Sequence, residues 1–218
     1  MPKNQSRFSG ASTSNISDAL DRLGISGACE GIAPMVRGAK VVGSAFTVRY
    51  VPVDQSHPGT VGDFMDSVKP GQVVVIDNAG RTGCTVWGDI MTTYAVRREV
   101  AGTIIDGVCR DVDGIRALGY PVFARGHFMR TGKDRVQVDV LERPVAISGV
   151  LVRPGDVVVG DDNGVVIVPL DRLDEVARIA EDISEAEEEI IGDLRGGATL
   201  ADARKRHGYH GLQRKTNR

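Results

Sequence analysis

The fold class follows from residues 72–124, which read QVVVIDNAGRTGCTVWGDIMTTYAVRREVAGTIIDGVCRDVDGIRALGYPVFA. The intervening residues 89–99 and 112–118 have the apolar spacing of short helices. Strands that alternate with helices of this length are typical of a mostly parallel α/β sheet, so we predict an α/β domain. The strands themselves are predicted from three apolar stretches: QVVVI at 72–76, TIIDGV at 103–108 and PVFA at 121–124.

Further elements are predicted on both sides of this segment. Residues 14–23 carry apolar side chains at helical spacing, with Ser14 or Asn15 available as the N-cap. Residues 41–53 mix β-branched and aromatic side chains in partial alternation, which predicts a strand. Beyond Asp134, closely spaced strands are separated by turn signals, and VVIV at 165–168 completes the sheet.

A long amphipathic helix is predicted over Asp171–Leu194, because its apolar residues repeat near the 3.6-residue period. Its outer face is acidic, with four glutamates between positions 185 and 189. From Ala203 onward basic residues predominate, which indicates a frayed tail. Because Tyr209 is the single aromatic residue among these charges, we do not expect the tail to bind nucleic acid.

The composition is that of a globular protein with one core. The chain has 218 residues, of which 41% are hydrophobic and 26% charged, and its formal net charge is -2. This charge creates no overall field that attracts nucleic acid or an anionic membrane. Without an apolar core in the N-terminal segment or a long apolar run elsewhere, we expect a soluble, cytoplasmic protein. Three cysteines without CxxC spacing are expected to be buried thiols: Cys29, Cys84 and Cys109.

Several familiar kinds of site are excluded by the motifs. Residues 83–88 have the glycine spacing of a P-loop, but Asp89 and Ile90 stand where its Lys and Ser/Thr must be. No G-x-G-x-x-G follows a predicted strand, so dinucleotide binding has no support. A G-x-S-x-G nucleophile elbow is also absent from the sequence.

The residues that point to chemistry lie between positions 88 and 113. Gly88-Asp89-Ile90-Met91 opens a predicted helix, where the first N–H groups have no intrahelical partner and can bind an anion. Arg110 and Asp111 directly follow the strand predicted at 103–108, and ligands collect at the carboxyl ends of such strands.

These residue types suit a 2-oxo acid and a metal ion. Arg110 offers a planar fork for a carboxylate, and Asp111 offers a hard oxygen ligand for Mg²⁺ or Mn²⁺. Together with the amides of a helix start, they would bind a 2-oxo acid. The spacing alone also fits a simpler role, in which both residues cap a helix and pair with neighbours, because Asp is common at helix N-termini.

Seven ordered motifs carry a resemblance to a known family: SDAL at 17–20, GSAFTV at 43–48, WGD at 87–89, GVCRD at 107–111, PVFARG at 121–126, VRPGD at 152–156 and DDNGVV at 161–166. In these motifs the chain resembles the RraA-like family, which contains the regulator of ribonuclease E activity and the 4-hydroxy-4-methyl-2-oxoglutarate aldolases. The resemblance implies an N-terminal extension over 1–13, a catalytic domain over 14–197 and a basic C-terminal tail over 198–218.

The chain is similar to the aldolase branch in a sharper way, through an Asp, twenty intervening residues and then Arg-Asp. Asp89, Arg110 and Asp111 meet this pattern. The resemblance implies that Arg110 and the amides of Gly88, Asp89, Ile90 and Met91 hold the substrate's carboxylate. It further implies that Asp111 binds the divalent metal and that Asp89 positions or deprotonates water. A carboxylate from the neighbouring subunit's C-terminal helix contributes in the aldolases, and here it corresponds to Glu187.

The resemblance also implies a fold, an assembly and an activity. The fold is a single swivelling β/β/α-type domain with a long C-terminal helix, assembled into homotrimers that can pair into hexamers. The activity is a metal-dependent pyruvate aldolase that also decarboxylates oxaloacetate, because both reactions need the same enolate. Residues that read the far end of the substrate are expected near Arg81 or Trp87. The alternative from the same resemblance is a regulator that binds and inhibits ribonuclease E without catalysis.

Overall fold

Valine- and isoleucine-rich strands form the centre of the protein, which a computed structural model describes over residues 6–8 and 10–212. Within this part of the chain, eight strands form one mixed sheet and two form a separate hairpin. The strands are β1 (Ala33–Pro34), β2 (Val41–Pro52), β3 (Gln72–Thr85), β4 (Gly102–Cys109), β5 (Val122–His127), β6 (Val136–Leu141), β7 (Val145–Ile147), β8 (Val150–Val152), β9 (Val157–Asp161) and β10 (Gly164–Val168).

The helices connect and cover these strands. They are α1 (Thr13–Arg22), α2 (Asp89–Arg97), α3 (Val112–Ala117), α4 (Leu173–Arg195), α5 (Leu200–Arg206) and α6 (Tyr209–Leu212). Short 3₁₀ turns lie at Ser6–Phe8, Asp63–Ser67 and Leu170–Arg172. The predicted α/β domain with a long C-terminal helix is therefore confirmed. No helix among the described residues is both long and apolar enough to cross a membrane.

The sheet is parallel at its centre and antiparallel at both sides. Its strand order is β1-β5-β4-β3-β2-β9-β10, and β6 also pairs with β2. The four strands β2 to β5 are parallel, and α2 and α3 make the crossovers from β3 to β4 and from β4 to β5. Every residue of β4 is buried, as expected for a strand covered on both faces. The prediction of a mostly parallel sheet therefore holds for this centre alone.

The prediction was wrong about the length of β3, which continues from residue 76 to Thr85. Its pairing with β4 shifts register between Asp77 and Arg81, and again between Arg81 and Thr85. At the first shift Ala79 and Gly80 both have positive φ, 50° and 67°, as in a bulged strand. Because the residues at this bulge are buried but polar, the apolar pattern does not predict that the strand continues through them.

Helix α1 packs across α4, which explains its apolar face. Ile16 and Leu20 are buried in one cluster with Val176 and Ile183 of α4. The N-cap is Ser12, whose side chain accepts a hydrogen bond from the Asn15 amide. The predicted caps, Ser14 and Asn15, are therefore wrong, because the helix begins at Thr13, two residues earlier than a cap at Ser14 would place its start.

The prediction of a frayed tail from Ala203 is wrong for the residues up to 212. Thr199 caps α5 by accepting from the Asp202 amide, and it donates to the Asp202 carboxylate. Ala203 is fully buried against the rest of the protein. His207 lies 2.8 Å from Glu189 and 2.9 Å from Asp193, both on α4. Capping and ion pairs therefore hold this segment, and the rest of the predicted tail, 213–218, lies outside the described residues.

Asp161 ties the start of α1 to the turn between β9 and β10. Its carboxylate accepts hydrogen bonds from the Thr13 amide at 2.9 Å, the Thr13 hydroxyl at 2.7 Å and the Asn163 amide at 2.8 Å. Burial acts to raise the pKa of Asp161, but these hydrogen bonds outweigh it and hold the pKa below its ordinary value. The carboxylate form therefore stabilises the folded state.

We expect Asp161→Asn to lower the free energy of unfolding by about 1 kcal/mol at neutral pH, because charged acceptors are lost in a partly solvated place. Because the pKa of Asp161 is lower in the folded protein, its carboxylate stabilises the fold fully at pH values above the pKa of Asp in the unfolded chain, about 3.9. This stabilisation is lost as the pH falls through the pKa of Asp161 in the folded protein. Denaturant unfolding of both proteins at neutral pH and at about pH 3 measures the difference. A difference that stays constant between the two conditions would contradict the prediction.

Candidate functional site

The site forms where two neighbouring parallel strands end. The chain leaves β3 at Thr85 and β4 at Cys109, and both strands deliver their next residues to the same edge of the sheet. A hydrogen bond of 3.0 Å from the Arg110 amide to the Trp87 carbonyl joins the two segments. This contact brings Asp89, Arg110 and Asp111 together, as the sequence predicted.

Gly88 lies directly against Arg110 and Asp111. A Cβ atom at position 88 would lie 2.5 Å from Asp111 Oδ2 and 3.4 Å from Arg110 Cγ. Gly88 has an extended backbone, so its role is space rather than an unusual conformation. Similarly, a Cβ at Gly114 would lie 3.0 Å from Asp89 Cβ. The two glycines therefore allow the start of α2 to approach the start of α3.

Asp111 does not cap the helix that it precedes. It occupies the N-cap position of α3 with φ 56° and ψ 41°, a left-handed conformation, and its side chain makes no capping hydrogen bond. Its Oδ2 atom instead lies 3.2 Å from Arg110 Nε and 3.5 Å from the Asp89 amide. The simpler interpretation is therefore wrong about capping by the Asp111 side chain, whereas its other part, pairing with a neighbour, is observed between Asp111 and Arg110. The Asp111 carboxylate points toward the start of α2.

The start of α2 presents backbone N–H groups that are available to a ligand. This helix has no side-chain cap, and the Gly88 carbonyl accepts from both the Thr92 amide and the Thr92 hydroxyl. In the described part of the chain, the amides of Ile90 and Met91 have no hydrogen-bond partner. The first N–H groups of a helix carry a partial positive charge, so an anion is the preferred ligand there.

A cavity of about 310 Å³ opens beside these groups. Its lining includes the predicted residues Gly88, Asp89, Ile90, Met91, Arg110 and Asp111. The side chains of Arg110 and Asp111 are 39% and 36% exposed, so both remain accessible to a small molecule. Arg110 and Asp111 also border a second cavity of about 570 Å³, which reaches His127 and Met129.

Several predicted residues lie elsewhere. Glu187 is on α4 and accepts a hydrogen bond of 2.6 Å from Asn15 Nδ2, and it does not line the cavity of its own chain. Trp87 borders the cavity but is buried, and its Nε1 donates to Thr92. Arg81 donates to the backbone of Tyr50 and to Asn78, away from the cavity. Of the two residues near which the far end of the substrate is expected, Trp87 borders this cavity and Arg81 does not, so that expectation stays a prediction.

The loop that completes the cavity was not predicted from the sequence. Thr131 and Lys133 line it from the segment after β5, together with Val61 and Gly62 from the segment after β2. The loop is held in place because the Thr85 amide donates to the Arg130 carbonyl at 3.0 Å. The signal available in the sequence was Gly132, since an isolated glycine after a strand often marks close approach of another backbone.

The cysteine beside the site is not a nucleophile. Burial raises the pKa of the Cys109 thiol to about 11, against a smaller opposing effect of its backbone hydrogen bond. Cys29 and Cys84 are buried as well, so the prediction of three buried thiols is confirmed. No group of three or more His, Cys, Asp or Glu among residues 6–8 and 10–212 is arranged as a metal site. A site with a single carboxylate would suit an ion that retains water ligands.

Comparison with known proteins identifies the family of the chain. A model of the RraA-like family, described as Aldolase/RraA, matches residues 13–167. The "Putative 4-hydroxy-4-methyl-2-oxoglutarate aldolase" of Halalkalibacterium halodurans is 34% identical over 83% of this chain and 85% of its own length. Protein DlpA of Legionella pneumophila is 39% identical over 96% of this chain, which spans 34% of that longer protein.

A solved structure supports the same assignment at the level of the fold. The crystal structure of an uncharacterized protein from Pseudomonas syringae pv. tomato superposes with a TM-score of 0.87 and 41% sequence identity. The similarity covers 94% of this chain and 98% of that one, including the mixed sheet and the long C-terminal helix. With the family match over residues 13–167, these similarities show that the chain belongs to the RraA-like family.

Proposed function

We propose that the protein is a divalent-metal-dependent lyase that releases pyruvate, of the 4-hydroxy-4-methyl-2-oxoglutarate aldolase type, and that it also decarboxylates oxaloacetate. The observation that carries this proposal is the contact of Gly88 with Arg110 and Asp111, which sets a guanidinium, a carboxylate and free helix amides around one cavity. The name of the Halalkalibacterium relative supports the aldolase class.

Arg110 and the start of α2 are the groups that would hold the pyruvate half of the substrate. Arg110 uses Nε toward Asp111, which leaves the outer nitrogens of its fork for a substrate carboxylate. The unpartnered amides of Ile90 and Met91 add two fixed donors with the favourable field of the helix start. A planar carboxylate next to a keto group matches this arrangement of donors.

The donor set at Asp111 fits a divalent cation. Oδ2 is occupied by Arg110 and the Asp89 amide, whereas Oδ1 has no partner among the described residues. Mg²⁺ commonly binds through one or two carboxylates, with water and substrate oxygens completing its coordination. When bound, such a cation supplies Lewis-acid polarisation of the substrate's keto oxygen. We propose Asp111 as its protein ligand.

In aldol cleavage, the C4 hydroxyl of the substrate loses its proton, C4 and its oxygen become the carbonyl of a second pyruvate, and the bond between C3 and C4 breaks. The bonding electrons move toward the C2 carbonyl and give the enolate of pyruvate, which takes a proton at C3. Arg110 would stabilise the negative charge that develops on the C2 oxygen. A cation that is already fixed in a partly enclosed site does not have to reorient during the reaction. Asp89, at the edge of the same cavity, would position the water that accepts the hydroxyl proton. Oxaloacetate decarboxylation would use the same enolate.

The proposed assembly assigns a role to Glu187. This carboxylate is on the acidic face of α4, and its partner within one chain is Asn15 rather than a residue of the cavity. We propose that in a homotrimer, or a hexamer of paired trimers, Glu187 of one subunit enters the site of its neighbour. In this role, Glu187 would give up its hydrogen bond with Asn15 and contact a group in the neighbouring subunit instead.

The proposed activity is tested by pyruvate release coupled to lactate dehydrogenase, with oxaloacetate and 4-hydroxy-4-methyl-2-oxoglutarate as substrates. We expect chelation to remove most of the turnover and added Mg²⁺ or Mn²⁺ to restore it. Asp111→Asn, which keeps the size of the side chain but removes its charge, should raise the metal concentration needed for half-maximal rate about 10- to 100-fold. Turnover that survives both chelation and this substitution unchanged would contradict the proposal.

The alternative from the sequence, docking on ribonuclease E, belongs to a different class of function. A docking surface does not require an accessible Arg110, an Asp111 carboxylate that points toward the start of α2, or a glycine in contact with both. The proposed lyase uses all three. A pull-down with a degradosome ribonuclease, performed beside the pyruvate assay, separates the two. Binding of the ribonuclease without pyruvate release from either substrate would favour the regulator.

A further inference from the structure

The start of α2 is held in place without a side-chain cap. Such a cap accepts a hydrogen bond from the second or third N–H group of its helix, which here belong to Ile90 and Met91. These are the two amides that the proposed function assigns to the substrate carboxylate. The residue at the cap position is Gly88, which has no side chain to compete for them. The first turn of α2 therefore needs another group to fix it.

The Thr92 hydroxyl fixes this turn from its carbonyl side. It donates a hydrogen bond of 2.8 Å to the Gly88 carbonyl, beside the 3.0 Å bond from the Thr92 amide to the same oxygen. The hydroxyl also accepts a hydrogen bond of 2.9 Å from Trp87 Nε1. An indole N–H only donates and a carbonyl only accepts, so the direction of both bonds is settled. One hydroxyl thus ties the Trp87 side chain to the Gly88 backbone.

Trp87 is anchored independently of α2. Its ring is buried and stacks on Tyr120, with the ring centroids 6.2 Å apart and the planes at 8°. The Tyr120 hydroxyl lies 3.0 Å from the Thr103 hydroxyl on β4. The Trp87 carbonyl accepts the hydrogen bond from the Arg110 amide. The indole is therefore a fixed point from which the Thr92 hydroxyl can hold the start of the helix.

Resting on the proposed function, we propose that Thr92 is a positioning residue, whose hydroxyl holds the Ile90 and Met91 amides ready for the substrate carboxylate. Thr92 is fully buried and does not line the cavity, so it acts through the Gly88 backbone rather than by touching the substrate. Donors that are already in place need no ordering when the anion binds. Loss of the hydroxyl should therefore weaken binding of the pyruvate half.

Thr92→Val tests the hydroxyl, because valine has nearly the same shape and the same branching at Cβ but cannot donate. Pyruvate binding at constant Mg²⁺, measured by calorimetric titration, should weaken about tenfold, since two donors to a charged group lose their alignment. Thr92→Ser, which retains the hydroxyl, should stay within about threefold of the unsubstituted protein.

Kinetics separate positioning from a loss of stability. In Thr92→Val the KM for pyruvate release should rise about tenfold, while kcat stays within about threefold. A variant that was merely less stable would lose kcat in proportion to its folded fraction and keep its KM. A rise in KM that Thr92→Ser does not share is therefore the result expected of a positioning residue.

The Trp87 indole gives a signature that does not depend on activity. Trp87 is the single tryptophan of the chain, so its Nε1–H gives the one indole signal in a ¹H–¹⁵N NMR spectrum. This proton signal should move upfield in Thr92→Val, where the hydrogen bond is lost, and should stay in place in Thr92→Ser. The matched control is Thr93→Val, which removes an exposed hydroxyl from the same helix. It should change neither the indole signal nor the pyruvate affinity.

If Thr92→Val does not fold, Trp87→Phe takes its place, because it removes the indole donor without leaving a buried N–H unpaired. This variant should weaken pyruvate binding about threefold. An unchanged pyruvate affinity in the variant that folds, or no pyruvate binding by the unsubstituted protein, would overturn the proposal. Failure of the lyase proposal has a different signature: pyruvate release is absent with every substrate, while pyruvate still binds and Thr92→Val still weakens that binding.

Discussion

Arg110→Ala is expected to lower the turnover number for pyruvate release about 10²- to 10³-fold, the usual effect of removing one fixed donor to a developing oxyanion. The guanidinium is the one side-chain cation on the cavity wall that lies against both Gly88 and Asp111. Its loss removes the fork for the substrate carboxylate and the charge that stabilises the enolate. Steady-state rates with oxaloacetate and with 4-hydroxy-4-methyl-2-oxoglutarate measure the effect.

The fold should tolerate this substitution. The Arg110 side chain is 39% exposed, and Asp111 is the partner of its one ion pair within the described residues. The free energy of unfolding should therefore change by no more than about 0.5 kcal/mol. Arg110→Lys keeps the charge but loses the planar fork, so an intermediate rate is expected. A rate for Arg110→Ala equal to that of the unsubstituted protein would remove Arg110 from the mechanism.

Gly88→Ala is expected to abolish most of the activity through a single added methyl group. That Cβ atom would lie 2.5 Å from Asp111 Oδ2, closer than nonbonded atoms can approach. Either Asp111 must leave its position or the start of α2 must move away from Arg110. A displacement near 1 Å typically costs about 10²-fold in rate, so we expect at least this loss.

The matched control is Gly83→Ala in β3. An added Cβ at Gly83 meets no atom within 4 Å, and the backbone there has no positive φ. The control should retain the activity and stability of the unsubstituted protein. Thermal unfolding of both variants distinguishes a damaged site from a damaged fold. Full activity in Gly88→Ala would show that the close approach at Gly88 has no functional consequence.

Much of the fold was predictable because apolar periodicity reports which faces are buried. The strand at 103–108 and the helices α1, α2 and α4 were predicted within a few residues. The bulge after Asp77 was not predicted, because buried polar residues interrupt the apolar alternation there. The cap at Ser12 was missed because apolar spacing does not fix a helix end to within one or two residues. The helical segment over residues 200–206 was missed because its stability comes from contacts to α4.

The candidate site was predictable where its residues share one motif. Asp89, Arg110 and Asp111 follow adjacent strands, and parallel topology brings the ends of such strands together. Lys133 was not predictable in this way, because its place on the cavity wall depends on the loop that Thr85 anchors. The orientation of the Asp111 carboxylate toward α2 was not predictable either, since Asp before a helix is ordinarily a cap.

The most direct test of the central claim is hydrogen exchange at the methyl group of pyruvate in D₂O, followed by ¹H NMR. This exchange requires the enolate that both proposed reactions share, and it does not depend on which aldol substrate the protein uses. With Mg²⁺ present, the unsubstituted protein should accelerate the loss of the methyl signal, and Arg110→Ala should lose most of this acceleration. Exchange at the rate of the buffer alone, or at equal rates in both proteins, would contradict a pyruvate lyase centred on Arg110 and Asp111.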